Sequence, residues 1–157
     1  MSLRHLLSHI SGLPAWLDLW NGWPDPEARR TGVLAAPLER PAGAEFVYSD
    51  IGFITAGYLA EAVTGRTLAE LVDERVWGPL RMTDTGFLPG EALRDRIAAT
   101  VDASSVGRGM LRGSVHDENA WSLGGAVGHA ACSAPPPTWR GSARCFGREA
   151  PWTGSAY

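Results

Sequence analysis

The chain has 157 residues, 45% of them apolar and 20% charged, with a net charge of −3 and a pI near 5.8. That composition suits one ordinary soluble domain able to bury a core. It excludes an electrostatic footprint for nucleic acid or an anionic membrane, because the charge is acidic and the arginines are scattered, and no apolar run is long enough to span a bilayer.

One absence bears on chemistry. All 14 basic side chains are arginine. A guanidinium stays protonated at any working pH, whereas a buried lysine amine can give up its proton and act as a base. The start, Met1-Ser2-Leu3-Arg4-His5, lacks the apolar stretch of a secretory signal, which for the chain as given predicts a cytoplasmic location. Cys132 and Cys145 both fall after residue 130, and one pair in a chain this long identifies neither a disulfide framework nor a zinc site.

In chain order, Ser2 is placed to cap a short helix with Leu3, Leu6 and Leu7 on one side, ended by Ser11-Gly12-Leu13-Pro14. From Ala15 to Gly43 the chain is rich in Trp and Pro, including Trp16, Trp20, Trp23, Pro24 and Pro26. It reads as an ordered loop with about one helical turn whose tryptophans bury against neighbours. The strongest helix begins at Ser49 or Asp50 and carries Ile51, Ile54, Tyr58 and Ala62 at three-to-four spacing until Gly65 supplies a left-handed cap. Directly after it Thr67-Leu68-Ala69-Glu70 is a capping box, followed by Leu71, Val72 and Val76 on one face and stopped by Gly78-Pro79. Residues 81–95 form a turn-rich connection, Arg96 to Val101 a short strand, and Val106 to His129 a structured loop.

Several polar groups invite a chemical reading. His5 and His9 stand at i, i+4, a spacing that can chelate a metal, yet no Glu partner or third ligand accompanies them, so a buried hydrogen-bonded pair is the expectation. His116, Asp117 and His129 resemble parts of a Ser-His-Asp relay with Ser114 or Ser122, but no Gly-x-Ser-x-Gly elbow occurs. His116 through Asn119 are expected to line a cleft or to brace it. With Ser49 as cap, Tyr48 and Phe53 occupy the positions of a hydrophobic staple, and Asp50 suits the positive helix terminus.

The segment from Ala131 changes character: three consecutive prolines, both cysteines and no apolar periodicity. Read in the neighbouring frame with permissible codons it becomes GLFSTAPDLARFGAVLREGSALDGFRL, which has helix caps and helical apolar spacing. Residues 131–157 are therefore expected to be a frameshifted, non-native tail on a domain spanning 2–130.

Four stretches together carry a family resemblance: Leu3-Arg4-His5-Leu6-Leu7-Ser8-His9 with Ser11-Gly12-Leu13-Pro14, Phe46-Val47-Tyr48-Ser49-Asp50-Ile51-Gly52-Phe53, Pro79-Leu80-Arg81-Met82-Thr83-Asp84-Thr85-Gly86-Phe87, and His116-Asp117-Glu118-Asn119-Ala120 through Gly124-Gly125-Ala126-Val127-Gly128-His129-Ala130. The chain resembles serine hydrolases of the class C beta-lactamase, penicillin-binding protein and carboxylesterase group. The resemblance implies an α+β fold of which this chain supplies mainly the helical lobe, with the sheet largely missing and apolar faces left open to self-association.

Such enzymes pair a Ser-x-x-Lys nucleophile with a Tyr-x-Asn element and a Lys-Thr-Gly or His-x-Gly element, and use no metal or organic cofactor. Of the three, only the second has a counterpart here. The resemblance makes Tyr48 the catalytic tyrosine, a phenol that relays a proton when a cation is near, and it places Asp50, His116 and Asn119 at the substrate. Asp50 stands where asparagine is usual, and a carboxylate only accepts hydrogen bonds, which favours an ester or small peptide over penicillin. The expected function is thus a fragment of a serine hydrolase acting on a small acyl substrate, inactive alone. The alternatives are a non-catalytic binding remnant using the Trp-rich loop and a metal-dependent hydrolase.

Overall fold

The computed structural model describes residues 1–130, so the expected frameshifted tail lies outside the described residues. Six α-helices and one two-stranded sheet are present in that range. α1 (Leu3–Leu7) starts at Ser2, whose amide donates to His5 Nδ1 at 3.3 Å. It ends at Leu7, four residues before the Ser11–Pro14 stop begins, because His9 turns into the left-handed region at φ 56°. Of its three leucines only Leu6 is buried; Leu3 and Leu7 are exposed.

The Trp/Pro-rich stretch holds more helix than one turn. α2 (Leu19–Gly22) is capped by Asp18 and α3 (Pro26–Leu34) by Asp25, with Pro26 in the first helical position. Proline there gives up an amide that has no partner in any helix, so a residue read as a breaker is a starter. The tryptophans are not uniformly buried: Trp16 is 54% exposed.

α4 (Asp50–Thr64) forms as expected, with Ser49 Oγ accepting from the Gly52 amide and Gly65 closing the helix at φ 68°. Ile51, Ile54 and Tyr58 are buried along its inner face, while Ala62 has rotated out to solvent. α5 (Leu68–Val72) carries the Thr67–Glu70 capping box. It then widens into a π-helical turn over Asp73–Trp77, which buries Trp77 and leaves Val76 exposed.

Beyond a 3-10 turn at Glu91–Arg96 comes a small hairpin of β1 (Ala99–Asp102) and β2 (Met110–Arg112). The strands are antiparallel, with Ala99 opposite Arg112 and Asp102 opposite Met110. Three steps on β1 against two on β2 leave one extra residue, a bulge. α6 (Glu118–Ser122) follows, capped by Asp117. The stretch expected as loop from 106 to 129 therefore contains a strand and a helix, each too short to show a period.

The core sits where α1, α2, α3 and α4 meet: Leu6, Leu13, Leu19, Val33, Ile51, Ile54 and Tyr58. A smaller cluster of Val115, Ala120 and Val127 joins it through Leu123, which packs against both. This is a mainly helical assembly with a minor sheet, in keeping with part of an α+β fold.

Candidate active site

The N-terminal turn of α4 is fixed from outside by the chain before it. Ser49 Oγ donates to Pro14 O at 2.6 Å, and the Asp50 amide donates to Ala15 O at 2.9 Å. The Ser11–Pro14 loop is thereby locked against the helix start. Gly12 at φ 80° is required in that loop, since a Cβ there would overlap the Arg40 carbonyl.

His9 completes the clamp. Its carbonyl accepts from the Val47 amide at 2.8 Å, and its Nδ1 accepts from the Ser49 amide at 3.0 Å. An acceptor Nδ1 puts the proton of the neutral ring on Nε2. The ring stacks on Phe53 at 4.8 Å between centroids, and lies 4.5 Å from the Tyr48 ring. The staple expected between Tyr48 and Phe53 thus has an imidazole inserted in it. His5 bonds instead to the start of its own helix, so the two histidines do not form a chelating pair. Among the described residues no group of three or more His, Cys, Asp and Glu is placed to hold a metal.

Tyr48, Asp50, His9, Phe53, Gly128 and His129 line one small pocket of about 150 Å³, with Ser49 at its edge. Tyr48 presents its ring to solvent, 63% exposed. Gly128 lies so close to α4 that a Cβ on it would overlap the Phe53 carbonyl. This close approach brings the next residue, His129, into the pocket wall. Gly124 at φ 97° and Gly125 at φ 86° make the turn that returns the chain to α4.

His129 has 4% of its side chain exposed, and its Nε2 lies 3.0 Å from Asp117 Oδ1. A carboxylate accepts, so Nε2 carries the proton. Asp117 Oδ1 also accepts from the Ala120 amide at 2.7 Å. The hydrogen bond from His129 holds the Asp117 carboxyl below the usual carboxylate range; burial opposes this and the Ala120 amide adds to it. His129 Nδ1 is buried with no hydrogen-bond partner among the described residues.

Part of the relay read from the sequence is therefore assembled: Asp117 and His129 meet, whereas the two serines point elsewhere. Ser122 Oγ donates to Asn119 O, and Ser114 Oγ accepts from Arg108. Ser49, the serine at the pocket, has its hydroxyl proton on Pro14 O. Tyr48, Asp50 and His129 come together; His116 and Asn119 do not line this pocket. His116 is exposed. Asn119 is 1% exposed and holds α2 to α6: its Oδ1 accepts from Leu19 and Trp20 at 3.1 and 3.3 Å, and its Nδ2 donates to Leu17 O at 2.7 Å. The sequence named Asp117 and His129 together only as parts of a relay; nothing in it marked His9 as the inserted ring.

Chemically, the pocket offers an exposed phenol, a carboxylate and an oriented imidazole whose Nδ1 is buried. These groups can move a proton and hold a polar ligand. No nucleophile faces them among the described residues.

Known proteins are similar to this chain in sequence and in fold. The chain is 30% identical over 161 residues to a putative D-alanyl-D-alanine carboxypeptidase of Escherichia coli K12, an alignment taking in 83% of this chain and 35% of that protein. It is 35% identical over 145 residues to an N-acetylmuramyl-L-alanine amidase of Bacillus subtilis, with 80% of this chain and 33% of that protein covered. The chain thus spans about a third of the length of these curated relatives. Its fold matches FmtA of Staphylococcus aureus with a TM-score of 0.71 at 16% identity, over 94% of this chain and 40% of that one. It also matches a beta-lactamase/D-alanine carboxypeptidase of Yersinia pestis with a TM-score of 0.65 at 21% identity, over 90% and 38%. Residues 1–143 match the family described as Beta-lactamase, and the chain belongs to that family.

Proposed function

We propose that this chain is the helical portion of a serine hydrolase that transfers an acyl group to water through a serine ester. The observation that carries the reading is the pocket at the start of α4, where Tyr48, Asp50 and His129 share one wall. Tyr48 is the proton relay between the attacking hydroxyl and the leaving group. Asp50 faces the substrate as an acceptor, which suits the N–H of a small peptide amide, a donor that the carbonyl of an ester or a lactam does not supply. Relatives named as carboxypeptidase and amidase support the peptide side of that choice. Asn119 serves the substrate at one remove, by bracing α2 and α6, whereas His116 stands outside the pocket.

The 157-residue polypeptide is inactive alone in this reading. It contains no lysine, and an acyl transfer built on a Ser-x-x-Lys pair needs that amine as a base. The frame after residue 130 is shifted, and exposed apolar side chains such as Leu34 and Val63 drive self-association. The test supplies a Ser-x-x-Lys segment upstream and restores the frame, then assays nitrocefin and p-nitrophenyl ester hydrolysis. The expected result is no turnover by the printed chain and turnover by the repaired one, falling about 100-fold or more in Tyr48→Phe. A repaired protein that folds and stays inert, while the printed chain binds a partner through its Trp-rich loop, would establish the binding-remnant reading instead.

A further inference from the structure

A second hollow, of about 480 Å³, lies among α2, β2 and α6. Three guanidiniums, Arg94, Arg108 and Arg112, and two indoles, Trp20 and Trp121, line it together with Met110. The indoles meet at 4.9 Å between centroids, and Arg108 Cζ lies 4.4 Å over the Trp121 ring. Arg108 is held rigidly by neutral acceptors: the carbonyls of His116 and Val115 at 3.0 and 2.6 Å, and Ser114 Oγ at 3.2 Å. Its charge is thus fixed in place without a carboxylate hydrogen-bonded to it.

The lining of the hollow carries three guanidiniums and no carboxylate. Arg94 is paired with Glu91 at 3.0 Å. Glu118 and Asp117 act on Arg108 through space, and neither is hydrogen-bonded to it. Arg112 is exposed, and among the described residues no hydrogen bond or ion pair engages its side chain. A guanidinium offers its donors as a planar fork that matches a carboxylate, and an indole face accepts a flat apolar body.

We propose that this hollow is a binding subsite for an organic carboxylate with a flat or apolar body, the carboxylate on the Arg112 fork beside Arg108 and the body against Trp121 and Trp20. The apolar wall sets it apart from a site for bare inorganic anions, which would gain nothing from the indoles. It is tied to the Tyr48 pocket by α6: Asp117, which holds His129, and Trp121 are four residues apart on that helix, about 6 Å along its axis. The proposal stands on the hollow's own residues and does not require Tyr48 to be catalytic.

The test is an amide, indole and guanidinium N–H spectrum of the whole 157-residue chain titrated with benzoate, with its neutral analogue benzamide, and with inorganic phosphate. Benzoate is expected to shift the Trp20 and Trp121 indole signals and the Arg112 side-chain signal saturably. Benzamide should bind about tenfold more weakly or worse, and R112Q should weaken benzoate by about tenfold, the loss of one charge-assisted pair. The same spectrum reports whether R112Q keeps its fold. Equal affinity for benzoate and benzamide, phosphate binding as tight as benzoate with still indoles, or an unchanged benzoate affinity in a folded R112Q would each overturn the assignment.

Discussion

Asn119 and Asp117 occupy neighbouring turns yet act through opposite physics. Asn119 is buried and fully engaged, so its removal takes the acceptor from the Trp20 amide and a second partner from the Leu19 amide and the Leu17 carbonyl, which keep their bond to each other. Asn119→Ala is expected to cost about 1–3 kcal/mol, read as a lowered urea midpoint. Asp117 contributes through its charge. Its folded carboxyl titrates below its unfolded value because His129 donates to the ionised form. The stabilisation is therefore fully present above the ordinary carboxylate value of about 3.9, and it is lost as the pH falls through the lower folded value. Asp117→Asn should accordingly be less stable than the parent at pH 7, with the gap closing in acid; denaturation midpoints measured from pH 7 down to pH 2 check the sign. A gap that widens in acid would show that the carboxylate is not held by His129.

α4 shows how one element was both legible and incomplete in the sequence. Its apolar spacing, its Ser49 cap and its Gly65 stop are local facts, set by the 3.6-residue period and by the shortage of amide partners at a helix start. What the period could not carry is the clamp on its first turn, where Ser49 Oγ gives its proton to Pro14 O while accepting from Gly52. Ser49→Ala should therefore cost more than an ordinary cap. The expected loss is about 1–2 kcal/mol for the cap plus a further ~1 kcal/mol for the stranded Pro14 carbonyl, measured by equilibrium unfolding. α2 and α3 escaped sequence reading for a related reason. Prolines and tryptophans suggest loops by composition, and only the Asp18 and Asp25 caps mark the short helices they begin. The π-helical turn after α5 follows from burying Trp77 in place of Val76, a choice made by packing.

The assembled chain is held at its centre by a backbone contact. α4 and the turn before His129 touch at Gly57 and Gly128, where a Cβ on Gly57 would stand 3.2 Å from the Gly128 amide and one on Gly128 would overlap Phe53 O. Gly128→Ala must push that turn off a rigid helix, with an expected cost of about 1–3 kcal/mol. It should also move the His129 imidazole signals in a proton spectrum, while Gly65→Ala, which meets open space at φ 68°, should leave them unchanged. The same contact builds the Tyr48 pocket, because it carries His129 from the far end of the described chain to the start of α4.

Composition, spacing and motif order were enough to fix the family and the chief helix, since each rests on residues near one another in the chain. The lack of lysine was equally plain, being a count. The partners of those residues were decided only by folding: His9 between Tyr48 and Phe53, Asp117 on His129, and Asn119 across a hundred residues to Leu19. Such contacts join positions whose separation carries no period, so they follow from how the helices pack around the core and not from local pattern.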